Sequence, residues 1–270
     1  MEKFKFNTVE EAIAAIKAGK MVLVTDDEDR ENEGDLIMAA EFCTGEAINF
    51  MAKEARGLIC MPADAEIMDK LQFDAMVSHN TDNHETAFSV SIDHKDTTTG
   101  ISAFERAYTM KKVTEPGAQS MDFRRPGHVF PLRSREGGVL VRTGHTETTT
   151  DLCKLAGLKP VGICCEIMNE DGYMMRTPEL IEFALKHDLV FITVASLVAY
   201  RKRHEKMVHR VAEANLPSKY GTFKIIAYEN DLDDLCHVAL VKGEVAGQKD
   251  VLVRMHSECL TGDAFGSLRC

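Results

Sequence analysis

The chain has 270 residues, 44% of them hydrophobic and 28% charged, with a formal net charge of −11 and a pI near 5.4, which is room for one large domain or one domain plus part of another. The acidic balance argues against nonspecific nucleic-acid binding, which needs a basic face, and no apolar run approaches the roughly 20 residues of a membrane span. Met1 to Phe6 carries no signal-peptide core, so a cytoplasmic protein is expected, its eight scattered cysteines serving mostly as small buried residues rather than as a disulfide framework.

Thr8 and Glu11 form a capping-box pattern ahead of a helix with Val9, Ala12, Ile13 and Ile16 on one face, ended by Gly19. A strand is expected at Met21–Thr25, then an acidic loop, then a strand at 36–40. Thr44 caps a helix to about Ala55. Leu58–Met61 reads as a buried strand stopped by Pro62, and Ala87–Ile92 alternates as a half-buried strand does. Ser102–Lys111 is expected to be helical, and 113–138, rich in Gly, Pro and Arg, to be irregular. Strands follow at Val139–Val141, Val161–Ile167 and Val190–Thr193, with helices at Thr149–Ala156 and Pro178–His187 between them. This mixture predicts a layered α/β domain with a mixed sheet.

A long polar helix is expected over 194–214, ending at Asn215-Leu216-Pro217, before new strands from Thr222. The domains expected are therefore 1–203, a linker or helix end at 204–216, and an incomplete α+β segment at 217–270. Those last residues are marginal for a self-sufficient core.

Ten residues, Asp26-Asp27-Glu28-Asp29-Arg30-Glu31-Asn32-Glu33-Gly34-Asp35, hold seven carboxylates around one arginine. Strand-delivered carboxylates suit Mg2+ or Mn2+, and Arg30 suits an anionic substrate. A solvated acidic turn is the simpler alternative. An EF-hand is excluded, because counting from Asp27 its required Gly and Glu positions hold Asn32 and Met38.

Arg142-Thr143-Gly144-His145-Thr146-Glu147 follows a predicted strand and opens a helix, a setting that cradles phosphate, with His145 placed to bind a metal. Glu166 lies within an apolar strand, where burial raises a carboxyl toward general acid/base use, although a salt-bridged strand end would read the same way. His128 sits in Pro126-Gly127-His128-Val129-Phe130-Pro131-Leu132, either a placed functional group or a rigid turn. Thr97-Thr98-Thr99-Gly100-Ile101-Ser102 is a hydroxyl-rich turn, weak by itself.

These five motifs, in this order over about residues 5–203, closely resemble 3,4-dihydroxy-2-butanone 4-phosphate synthase. The resemblance implies a homodimer that converts D-ribulose 5-phosphate into 3,4-dihydroxy-2-butanone 4-phosphate and formate in riboflavin biosynthesis. It implies Glu31 and His145 as ligands of Mg2+ or Mn2+, two ions per site. It implies substrate contacts from Arg30, Glu31, Asp35, Thr99, Arg142, Thr143, Gly144, His145, Thr146 and Glu166. His128, Glu166 and Glu31 match catalytic positions, and subunits of a dimer are expected to share the site.

A second resemblance, over Leu216–Phe223 and Arg254–Cys270, is to the start of GTP cyclohydrolase II, whose zinc takes three cysteines. Cys259 and Cys270 match the first two. The chain stops before the third, so neither zinc nor that hydrolase activity is expected.

Overall fold

A computed structural model describes residues 4–269, and its internal contacts divide the chain after Lys206. The first unit runs α1 (Val9–Lys17), β1 (Val22–Thr25), β2 (Gly34–Ala39), α2 (Gly45–Phe50), β3 (Cys60–Ala63), α3 (Ala65–Lys70), β4 (Ile92–His94), α4 (Ala103–Val113), β5 (Phe123–Arg133), α5 (His145–Leu155), β6 (Gly162–Glu166), α6 (Thr177–Lys186), β7 (Val190–Thr193) and α7 (Val194–His204). The strands form one mixed sheet in the order β4-β5-β3-β6-β2-β1-β7.

Apolar side chains on both faces of every strand but β4 make this a buried sheet. Leu23 points with Met38, Met51, Met110 and Phe183 into one core, under α2, α3, α4 and α6. Its neighbours Val22 and Val24 point the other way, with Ile16, Leu152 and Leu197, under α1, α5 and α7. Phe191 of β7 is fully buried, a burial that stabilises by about 1.5–3 kcal/mol. The capping box forms as expected: Glu11 N donates to Thr8 Oγ1 (3.2 Å) and Thr8 N to Glu11 Oε2 (2.7 Å).

Several expectations are corrected. Residues 123–133, expected to be irregular, form the 11-residue strand β5. It tolerates its prolines because the ladder asks little of them: Pro131 only accepts, from Ser89 N (2.9 Å), and Gly127 lets the backbone of Ile92 come close. Pro62 does not stop β3 but lies inside it, opposite Leu132. Residues 138–140 are a 3-10 turn rather than a strand, α5 begins at His145, and 87–91 makes isolated bridges ahead of the short β4. The helix expected to reach Ala214 ends at His204, and most of the expected 204–216 linker is strand β8 (Val208–Ser218). Pairing with β9 (Gly221–Asn230) outweighs local helix preference there.

The second unit is the antiparallel sheet β10-β9-β8, with β10 at His237–Val241. Among its described residues only Ile226 is buried. Cys270 lies outside the described residues.

Candidate active site

Asp26 leaves the end of β1 and organises the acidic loop. Its carboxylate accepts from Glu33 N (2.9 Å), Glu31 N (3.3 Å) and Arg30 Nη1 (2.8 Å), and its side chain is 1% exposed. The loop is pinned again by Thr25 Oγ1, which donates to Glu33 O (2.9 Å), and by Arg176, which donates to Glu31 O (2.9 Å). Glu31 is thereby held facing inward, and Arg30 Nη1 lies 2.6 Å from its Oε2.

Sheet register adds two more carboxyls. Asp35 on β2 stands directly opposite Glu166, the last residue of β6. His145, the first residue of α5, brings Nδ1 within 3.3 Å of Asp35 Oδ1 and 3.8 Å of Glu31 Oε2. Glu166 Oε2 accepts from Leu58 N (2.9 Å). Gly57 makes that approach possible, since a Cβ there would stand 2.2 Å from the Glu166 carbonyl oxygen.

Charge shapes proton affinity here. Burial pushes Asp35 up to about 8, helped by Glu166 and Glu31 and opposed by His145. Burial alone would lower the His145 imidazole, but Asp35, Glu31 and Asp26 outweigh it and hold it at about 9. Burial raises Glu31 as well, yet His145 and Arg30 bring it down to about 2. Glu166 is raised, again by burial first.

Asp26, Glu31 and His145 place one ligand atom each within 4.8 Å of one another. Asp35 Oδ1 and His145 Nε2 are buried without a hydrogen-bond partner. Two buried polar atoms without hydrogen bonds, in a cluster of hard oxygen donors and one imidazole, fit a divalent cation such as Mg2+ or Mn2+.

Beside this cluster an open cleft of about 380 Å³ is lined by Arg30, Glu85, Arg135, Arg142 and Thr143 among others. Arg142 Nη1 pairs with the buried Glu147 (2.6 Å), while its Nε and Nη2 donate to His84 O (3.1 Å) and Thr86 Oγ1 (3.1 Å). Gly144 is the N-cap of α5, where a Cβ would strike Arg142, and Thr146 is buried in the first turn.

Thr99 and His128 stand apart from the cluster. His128 lies on β5, with β3 and β6 between it and β2, and Thr99 is exposed on the turn before α4. His128 Nδ1 is 2.8 Å from Asp93 Oδ2, and Gly100 lies against the same carboxylate. Asp26 and Glu147, motif members given no individual role, and Asp93, outside every motif, each orient a residue that the motifs singled out. The available signal was position: Asp26 directly follows an apolar strand and stands four residues before Arg30.

A family model described as 3,4-dihydroxy-2-butanone 4-phosphate synthase matches residues 10–200, and one described as GTP cyclohydrolase II matches 209–270. The riboflavin biosynthesis protein RibBA of Bacillus mycoides is 56% identical over 265 residues, 98% of this chain and 67% of that protein. RibBA of a Bacillus cytotoxicus strain is 53% identical over the same shares. Among solved structures, RibBX of A. baumannii, a two-domain 3,4-dihydroxy-2-butanone 4-phosphate synthase, aligns with TM-score 0.82 and 44% identity over 88% of this chain and 70% of its own. A synthase of the same name in complex with two magnesium ions aligns at 0.71 and 42% over 74% and 98%. The cluster, the cleft and these matches meet in one statement: the chain belongs to the 3,4-dihydroxy-2-butanone 4-phosphate synthase family of riboflavin biosynthesis.

Proposed function

We propose that this synthase acts on D-ribulose 5-phosphate, releasing formate and 3,4-dihydroxy-2-butanone 4-phosphate, and that it needs Mg2+ or Mn2+. The observation that carries the reading is the convergence of Asp26, Glu31 and His145 ligand atoms, with His145 Nε2 buried there without a hydrogen-bond partner. A magnesium-bound relative of 42% identity supports it. Glu31 and His145, with Asp26 beside them, would hold the cation, which supplies Lewis-acid polarisation of the sugar's carbonyl and hydroxyl oxygens.

The chain's own groups do the rest. Arg142 and Thr143, with Arg30 across the cleft, bind the phosphate end, leaving the sugar carbons toward Asp35 and Glu166. Those two carboxyls, raised by burial, suit taking a proton from carbon and returning it to oxygen. His128, oriented by Asp93, offers a further proton-transfer group. Thr99 adds a hydroxyl at the substrate.

We infer a homodimer in which Thr99 and His128 of one subunit serve the cluster of the other. Their separation from Glu31 within one chain supports it, as does the exposed apolar stripe Ile101, Phe104 and Tyr108 beside Thr99. No described helix is long and apolar enough to cross a membrane.

Formate release from ribulose 5-phosphate tests the reading. It should require the divalent cation, stop on chelation, and fall by about 10²-fold or more in Glu31→Gln and His145→Ala. Full turnover in either variant, or in chelator, would overturn it.

A further inference from the structure

Three arginines border the cleft beside the acidic cluster, and each already has a carboxylate partner. Two of these partners are fixed. Arg30 pairs with Asp26, whose side chain is 1% exposed at the end of β1, and Arg142 pairs with Glu147, also 1% exposed, inside α5. Glu147 is held again at Oε1 by Arg135 N (3.0 Å). Neither carboxylate can leave without unmaking the scaffold.

The third partner differs. Arg135 Nη2 pairs with Glu85, which sits on the loop between α3 and β4 with its side chain 67% exposed. Glu85 holds a backbone φ of +55°, where a side chain is disfavoured and glycine is not. Around Glu85, residues 80–86 are held by Asn80 and Asp82, which bond within the stretch, and by His84 and Thr86, which accept from Arg142, whereas from Ala87 onward the segment pairs with β5. Arg135 is therefore the guanidinium of the three whose counter-charge is most exposed and least fixed by the fold.

We propose that Glu85 is an internal competitor for the phosphate group of the substrate. It occupies Arg135 when the cleft holds no anion, and phosphate binding trades the Glu85–Arg135 pair for a phosphate–Arg135 pair. No bond is made or broken in the exchange. Glu85 then sets substrate affinity, by opposing weak anions that do not repay its release. The proposal rests on the reading of the cleft as the phosphate site.

The test uses the full chain and inorganic phosphate, followed by calorimetry and as an inhibitor competitive with ribulose 5-phosphate. Glu85→Gln should bind phosphate about two- to fivefold more tightly than the parent, the range of one exposed ion pair. Glu85→Gly should do at least as well, and it relieves the left-handed backbone, so misfolding would not explain a failure. In an Arg135→Gln background the gain should vanish. KM for ribulose 5-phosphate should fall in the Glu85 variants. Unchanged or weaker phosphate binding in both variants would overturn the proposal, as would a gain of equal size without Arg135. Formate release by the parent chain separates the two readings. Turnover with KM insensitive to Glu85 overturns this inference alone, whereas absence of turnover under every metal condition overturns the proposed reaction.

Discussion

Asp35 and His145 both hold protons beyond their ordinary ranges, and they hold them against each other. A raised folded pKa means that the native chain binds more protons than the unfolded chain between the two values. For Asp35 that window runs from 3.8 to about 8, and for His145 from 6.5 to about 9. The stability from each group is complete below its window and is lost as pH rises through it. The metal-free melting temperature should therefore fall between pH 6.5 and 9. Asp35→Asn should flatten the slope, because it removes one of the two titrations. Magnesium should raise the melting temperature more at pH 8.5 than at pH 6.5, because protons compete with the cation for His145. Calorimetry in chelator checks the sign. A melting temperature that climbs over this interval, or an identical slope in Asp35→Asn, would contradict the assignment of these two groups.

Among the elements, β6 does the most to place the chemistry, because its last residue stands opposite Asp35 and accepts from Leu58. Gly57 is what allows the 56–58 turn to reach it. Gly57→Ala would push a methyl into the Glu166 carbonyl, so kcat should drop about 10²-fold through misplacement of the carboxyl, with KM much less affected. A variant with full kcat would show that Glu166 need not sit where β6 holds it. The elements also differ in how far they could be read from sequence. α1 was legible because Thr8 and Glu11 are a local signal, and β1, β6 and β7 because short apolar runs need no partner to be recognised. β5 was not, because its prolines and Gly127 punctuate it and its stability comes from β3 and β4, remote in sequence. The polar stretch over 194–214 suggested one continuing helix, whereas β8 is a strand through its pairing with β9. For the site, Arg30, Glu31, Asp35, Arg142, His145 and Glu166 were legible by motif. Asp26 and Asp93 were not, since their role is to hold other side chains, and that role depends on register.

At the scale of the molecule, both hydrophobic cores draw only on residues before Lys206, and the candidate site does too. A chain ended at Lys206 should fold, dimerise and release formate at a rate close to that of the full chain. Loss of any of these three properties would show that the second unit supports the first. The seven-stranded sheet also has a history built into its order. β1, which carries Asp26 into place, lies between β2 and β7, so that Val22 faces Val190 across most of the first unit, and Asn7 clasps Phe191 in both directions (2.9 Å each). A chain emerging from the ribosome can make the β1–β2 hairpin at once, but it must wait for residues 190–193 before the strand gains its second neighbour. Contacts of such long range form late. The acidic loop's own bonds can therefore form with the hairpin, while the parallel pairing that anchors β1 on its other side waits for the last strand of the sheet.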